Sequence, residues 1–307
     1  MKKIRGLKIG VIGAGTMGKH HARICASLAK AGLLGIADID QARGQELARQ
    51  YNAEFFSDHK EILPLIDAVI IASPTSTHFQ VASDCINAGK HLLVEKPIAK
   101  TSQEAQELID ISGKNGLVFA VGMIERFNPA FEELRKLIRK ERIIGLHLQR
   151  FSPFPERITD ANVIQDMMIH DLDLVANLLP MDEIEGLKAE GARVKTKQLD
   201  RVSSTIYFKS GVIAKVEADR VFGIKSRKII ATTERGLIEA DLLNKQVYVR
   251  DLQHHIPSAH HTKKTDQLTA ELTDFVKTIK TKGRPRVSAQ DGLKALKLAE
   301  EVEQACS

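Results

Sequence analysis

LKIGVIGAGTMG, residues 7–18, runs from a short apolar stretch directly into glycines. The apolar part, LKIGVI (7–12), has the length and composition of a buried parallel strand. The glycines form G-x-G-x-x-G: Gly13-Ala14-Gly15-Thr16-Met17-Gly18. Such glycines also serve ordinary turns. The strand before them and the helical spacing after them give this set its meaning. The first glycine makes the turn, the second lets backbone approach a diphosphate, and the third lets the helix pack closely. The helix N-terminus then offers oriented N–H donors to the anion. Asp38 stands twenty residues beyond Gly18, at the end of the next predicted strand. A carboxylate there accepts hydrogen bonds from both ribose hydroxyls and repels a 2′-phosphate. NAD is therefore favoured over NADP, with Arg43 leaving some room for the latter.

The same alternation continues outward from this segment. Strands are predicted at 33–37, 67–72, 91–94 and 117–122 and helices at 16–30, 41–50, 76–88 and 101–114. Asp40 caps the second helix, and Thr101 with Glu104 reads as a capping box. Strand–helix alternation with buried strands means a doubly wound parallel sheet, a Rossmann arrangement. Beyond residue 123 the pattern changes. Helices are expected at 129–140 and 163–179, then strands of period two at 202–208, 212–221, 228–233, 236–240 and 246–250. Val212, Ala214, Val216 and Ala218 would face one way, and Ile213, Lys215, Glu217 and Asp219 the other. Lys209-Ser210-Gly211 is the expected hairpin turn. Helices at 267–280 and 288–306 close the chain. The expected fold is thus α/β: a dinucleotide-binding Rossmann domain (1–123), then an α+β domain (124–307) for substrate binding and oligomerisation. The latter holds an open, mainly antiparallel sheet, and its C-terminal helix can pack back on the first domain.

A length of 307 residues, 43% hydrophobic and 27% charged, supports two folded domains and excludes a disordered chain. The longest apolar run, LIDAVIIA (65–72), stops at Ser73-Pro74, too short for a membrane span. The basic then apolar N-terminus is too short for a signal peptide. Cys25, Cys85 and Cys306 are scattered and fit a reduced cytoplasm as buried thiols without chemistry. The net charge of +6 is thinly spread and interleaved with acids, which suits an anionic small molecule better than nucleic acid.

Two further segments fall at the C-terminal ends of predicted strands, where ligands bind in such sheets. These are Ala72-Ser73-Pro74-Thr75-Ser76-Thr77-His78 and Glu95-Lys96-Pro97. With the glycine turn, GMIERFNPA (122–130), DMMIHDLDL (166–174) and DGLKALKLAEE (291–301), they resemble the Gfo/Idh/MocA family of NAD(P)-dependent sugar oxidoreductases. The resemblance spans essentially the whole chain. It implies that Lys96 is the catalytic lysine, preceding a cis peptide to Pro97. It also implies that Asp166 and His170 form the D-x-x-x-H pair of the second domain. Residues four apart share a helix face, so Asp166 and His170 project together, with Asp173 one turn on. Histidine suits the base that removes a hydroxyl proton, an ammonium stabilises the alkoxide, and a carboxylate orients the imidazole. Ser73, Pro74, Thr75 and Glu95 are expected beside the cofactor, with His78 as a loop-fixing residue.

The stretch RFSPFPERI (150–158) resembles the subgroup that oxidises the 3-hydroxyl of UDP-N-acetylglucosamine and related UDP-sugars. Arg157, in a proline-stiffened loop, suits a diphosphate, and Arg126 and Asn128 are further substrate candidates. A free polyol or aldose dehydrogenase is the alternative, and a dinucleotide-sensing regulator without turnover a second one. No metal is expected. His20 and His21 are read as packing residues, and His254, His255, His260 and His261 as a loop without a metal. The resemblance implies homodimers or homotetramers.

Overall fold

The structure, a computed structural model, describes residues 6–139, 141–155, 161–251, 258–260, 262 and 265–306. It divides into two compact units: Met1–Ile124 with Leu268–Leu293, and Glu125–Gln267 with Lys294–Ser307. The first unit thus ends at Ile124 and also takes in the segment 268–293.

The first unit holds six parallel strands: β1 (Leu7–Ile12), β2 (Ala31–Ala37), β3 (Glu54–Phe56), β4 (Ala68–Ile71), β5 (His91–Glu95) and β6 (Phe119–Gly122). Their order is β3-β2-β1-β4-β5-β6, so the winding reverses between β1 and β4 and leaves a crevice at the strands' C-terminal ends. The helices are α1 (Thr16–Cys25), α2 (Gln41–Tyr51), the short α3 (His59–Ile62), α4 (Thr75–Asn87) and α5 (Ser102–Lys114). Helix α1 is five residues shorter than its apolar spacing suggests. Ser27 donates its hydroxyl to the Ile24 carbonyl, a local bond that competes with the helix. Thr101 accepts from the Glu104 N–H as expected, but Glu104 reaches back to the N–H of Lys100, one residue earlier than a standard capping box.

In the second unit, α6 (Pro129–Ile138) and α7 (Ile169–Leu178) accompany β7 (Ile143–Phe151), β8 (Ile184–Ala192), β9 (Arg201–Phe208), β10 (Ile213–Asp219), β11 (Ser226–Thr233), β12 (Gly236–Asp241), β13 (Gln246–Asp251) and β14 (Ser258–His260). The chain closes with α8 (Gln267–Thr281) and α9 (Ala289–Ala305). The eight strands run β14-β13-β12-β11-β7-β10-β9-β8, antiparallel except for β7 with β10. The hairpin turn lies at Lys209–Gly211, where Gly211 takes φ +86°. Ala214, Val216 and Ala218 are buried while Ile213 and Lys215 are exposed, as the alternation requires. Asp219 departs from it: its side chain is buried and accepts the Val221 N–H.

The first unit's core packs Ile9, Val11, Ile36, Ile70 and Leu93 against Leu272, Phe275 and Val276 of α8. Cys25 and Cys85 are buried free thiols, and burial pushes both up to about 12, which leaves them unreactive. Among the described residues no helix is long and apolar enough to cross a membrane.

Candidate active site

The crevice beside the glycine turn is a cavity of about 690 Å³, lined among others by Gly13, Gly15, Asp38, Arg43, Ser73 and Thr77. Gly13 adopts φ +95°, and a Cβ on it would lie 2.6 Å from the Ala72 carbonyl oxygen. A Cβ on Gly18 would lie 1.8 Å from the Gly13 oxygen, so helix α1 can start only on a glycine there. At Gly15 nothing lies within 4 Å of the corresponding position. Two glycines thus serve close packing, and the third leaves open space over the helix N-terminus, as a bound dinucleotide diphosphate needs. Thr16 is exposed in the first turn of α1, whereas Met17 packs against the core.

Asp38 lines this cavity. Its carboxylate accepts the N–H groups of Ala14 (2.5 Å) and Asp40 (2.8 Å) and the Arg43 guanidinium (2.9 and 3.1 Å). Burial disfavours its charge, but Arg43 and these N–H groups together hold the carboxyl below its ordinary value. It is an anion wherever the ribose would meet it. Asp38→Ser is expected to lower the preference for NAD over NADP in kcat/KM by roughly tenfold or more, since the hydroxyl acceptor disappears and Arg43 is released for a 2′-phosphate. Parallel kcat/KM measurements with both cofactors check this, and an unchanged ratio would remove Asp38 from the role.

Further along the crevice, the Ser73 hydroxyl meets that of Thr77 at 2.8 Å, Pro74 is exposed, and Thr75 opens α4. His78 is buried between the Ser73 and Pro97 carbonyls. Lys96 is half-buried, and its bond to Pro97 is cis. Glu95, expected beside the cofactor, is buried. Its side chain turns inward and accepts from His21 Nε2 at 2.7 Å, if that nitrogen carries the proton, and it lies beside Gly122. Lys96, the first residue beyond β5, is half-open where Glu95 is enclosed. His21 is fully buried and packs, while His20 is exposed. Glu271 of α8 is a buried carboxyl no motif announced. Burial, with Glu95 and Asp274 adding negative charge, raises it well above the ordinary carboxylate range.

In the second unit, residues 164–168 form a turn of π-helix (Ile164–Met168) that leads into α7. Asp166 lies in this wider turn and His170 just after it, both half-buried. A single π-turn is a frequent mark of a functional position and was not visible in the spacing. Between the pair, Met168 and Ile169 are fully buried and Met167 is half-buried. Asp173, read as part of the same polar stripe, is buried in a two-pronged pair with Arg126 (2.6 and 2.7 Å). Asp171 makes the same kind of pair with Arg150 (2.8 Å twice). Arg150 and Arg227 both donate to Glu125 as well. These ties fix the rotation of α7 and so the direction of His170.

Two residues expected at the substrate lie within this network. Arg126 directs Nε and Nη2 to Asp173. Asn128 gives its amide hydrogens to Glu125 and the Leu242 carbonyl, and its oxygen caps α6 at Ala130. Both are nearly inaccessible to solvent. Arg157 lies outside the described residues, as do His254, His255 and His261. His260 ends β14, and the described residues contain no group of three or more side chains able to hold a metal.

The segment leading into the π-turn is held by a third buried pair that spacing did not reveal. Asp200 accepts the N–H groups of Val194, Lys195 and Thr196 and the Nε of Arg220. Arg220, itself fully buried, also donates to the Ala161 carbonyl at 2.6 Å.

Comparison with known proteins bears on this arrangement. Residues 7–123 match the profile of an oxidoreductase family with an NAD-binding Rossmann fold, GFO_IDH_MocA. UDP-N-acetylglucosamine 3-dehydrogenase from Acidithiobacillus ferrooxidans is 32% identical over 286 residues, covering 89% of this chain and 88% of that protein. The chain belongs to the Gfo/Idh/MocA family. It is an NAD-binding oxidoreductase. The solved structure of the Acidithiobacillus enzyme, GnnA, superposes with a TM-score of 0.92 over 98% of this chain and 97% of that one. Myo-inositol 2-dehydrogenase from Thermotoga maritima is 27% identical over 315 residues, covering 95% of this chain and 94% of its own. The known relatives of this oxidoreductase thus include sugar and polyol dehydrogenases.

Proposed function

We propose that this protein is a cytoplasmic dehydrogenase that oxidises a sugar hydroxyl, the 3-hydroxyl of a UDP-N-acetylhexosamine, with NAD. The observation that carries the reading is the 32% identity, sustained over 89% of the chain, to an enzyme named for that reaction. The resemblance of RFSPFPERI (150–158) to the same subgroup adds to it. Within this stretch Arg157 is the cation proposed for the diphosphate, because Arg150 is enclosed in its pairs with Asp171 and Glu125.

The residues divide the work by charge. Gly13, Gly15 and the α1 N-terminus would hold the diphosphate, and Asp38 the adenosine ribose. The nicotinamide, when bound, supplies the hydride acceptor. His170 takes the proton from the hydroxyl oxygen as the carbon–hydrogen bond breaks, at the imidazole nitrogen facing the substrate. Lys96 keeps its ammonium close to that oxygen and lowers the energy of the alkoxide. Asp166 orients the imidazole and favours its protonated form. Assembly is proposed as a homodimer or homotetramer through the open face of the second sheet, where Ile213 and Leu237 are exposed.

The test follows reduced nicotinamide at 340 nm while UDP-N-acetylglucosamine, other UDP-sugars, inositols and free aldoses are offered with NAD. The reading expects kcat/KM for UDP-N-acetylhexosamines to exceed that for every free sugar. Turnover of inositol alone would move the assignment to a polyol dehydrogenase. Binding of NAD with no turnover of any of these would favour a dinucleotide sensor.

A further inference from the structure

His78 holds two loops with one ring. Its Nδ1 lies 2.8 Å from the Pro97 carbonyl oxygen and its Nε2 2.9 Å from the Ser73 carbonyl oxygen, and the residue is 1% exposed. Both partners are carbonyls, which only accept. A neutral imidazole carries one N–H and one lone pair, so one of these contacts would set a lone pair against an oxygen. Only the doubly protonated ring donates to both. The two carbonyls belong to different loops. Ser73 follows β4 and lines the cofactor cavity, and Pro97 follows β5 immediately after Lys96.

We propose that His78 is a positioning residue that, as an imidazolium, ties the cofactor-lining Ser73 loop to the turn carrying Lys96, and that loss of one proton releases one of the two carbonyls. The role given to Lys96 rests on the function proposed above, whereas the tie itself rests on the first unit alone. Burial opposes the charge and, against the two carbonyls and Glu95, sets the ring below the ordinary histidine value; Lys96 opposes the charge as well. The geometry asks for the cation and the surroundings for the neutral ring. Protonation therefore changes how many loops the side chain holds. As pH rises through the His78 value, on the acid side of the ordinary histidine range, the ring loses a proton and the tie loosens.

The experiment measures NADH affinity by fluorescence between pH 5 and 8.5 for the full-length wild type and His78→Gln. The same samples, labelled with 15N at histidine, give the protonation of both ring nitrogens. NADH should bind wild type several-fold more tightly at the acid end, in step with a second ring N–H on His78. His78→Gln has no titrating group at this position. It should bind NADH about tenfold more weakly at pH 5, the scale of one lost charge-assisted bond, and with a flat pH profile. Equal affinity and equal pH dependence in the two proteins would overturn the proposal. So would a His78 ring with a single N–H throughout the range, a result wild type alone provides if the variant does not fold. Neither measurement involves a sugar, so failure of the proposed substrate leaves this outcome readable. Where a substrate is turned over, the variant should also lower kcat while KM for the sugar stays within twofold.

Discussion

His170→Ala is expected to lower kcat by about a hundred- to ten-thousand-fold, the span lost with a general base. NAD affinity should stay within about twofold, because the glycine turn, Asp38 and Ser73 all belong to the other unit, residues 1–124 with 268–293. Lys96→Ala should also reduce turnover strongly, since the alkoxide loses its cation, and should weaken substrate binding in addition. Asp166→Asn should have a smaller effect than either, because it disturbs the orientation of the base without removing it. The stability of His170→Ala should be near that of wild type. Helix α7 is anchored by the Arg150–Asp171 and Arg126–Asp173 pairs, which the substitution leaves intact. Steady-state kinetics with the substrate found in the screen, alongside NADH titration, separates these effects. If His170→Ala turned over normally while Lys96→Ala did not, the base would be Lys96 and His170 a substrate-positioning residue. Full activity in both variants would remove this pair from catalysis.

The second large effect concerns folding. Asp200→Ala would leave the fully buried Arg220 guanidinium without its carboxylate and three backbone N–H groups without their acceptor. Breaking one side of a buried ion pair costs about 3–5 kcal/mol, which for a chain of this size lowers Tm by roughly 10 °C. The pH dependence has a definite sign. Burial opposes the Asp200 charge, but the N–H groups of Thr196, Lys195 and Val194 outweigh it and hold the carboxyl well below its unfolded value of 3.8. A depressed carboxyl contributes stability that is fully present above the unfolded value and is lost as pH falls through the folded one. The gap in Tm between wild type and variant should therefore be widest at neutral pH and narrow only in strong acid. Calorimetry from pH 3 to pH 8 measures it, and a gap below about 2 °C at pH 7 would refute the account. Because Arg220 also fixes the Ala161 carbonyl just before the π-turn, any folded Asp200→Ala protein should lose kcat as well.

The local chemistry of the chain was legible without any structure. The glycines at 13, 15 and 18, the acid at 38, the short buried strands and the switch to period two near residue 200 are short-range patterns. They depend on backbone sterics, helix and strand periodicity and capping, all of which act between residues a few positions apart. They determined a Rossmann unit, a second open sheet and the cofactor class. Strands β3, β7, β8 and β14 were not announced: β3 and β14 are three residues long and carry no period, Gly145 and the inward Arg150 interrupt the alternation of β7, and β8 is an edge strand with no buried residue to mark it. Tertiary structure alone decided which polar residues are enclosed and what they pair with. Arg126 and Asn128 looked like substrate contacts and are enclosed; Glu95 looked like a cofactor contact and turns to His21. Arg150 with Asp171, and Arg220 with Asp200, are about twenty residues apart in sequence, and no spacing rule joins them. A charged side chain is recognised in sequence by its type, but its role is set by whether folding buries it and what it meets there. Burial removes water from the comparison and makes a distant partner decisive.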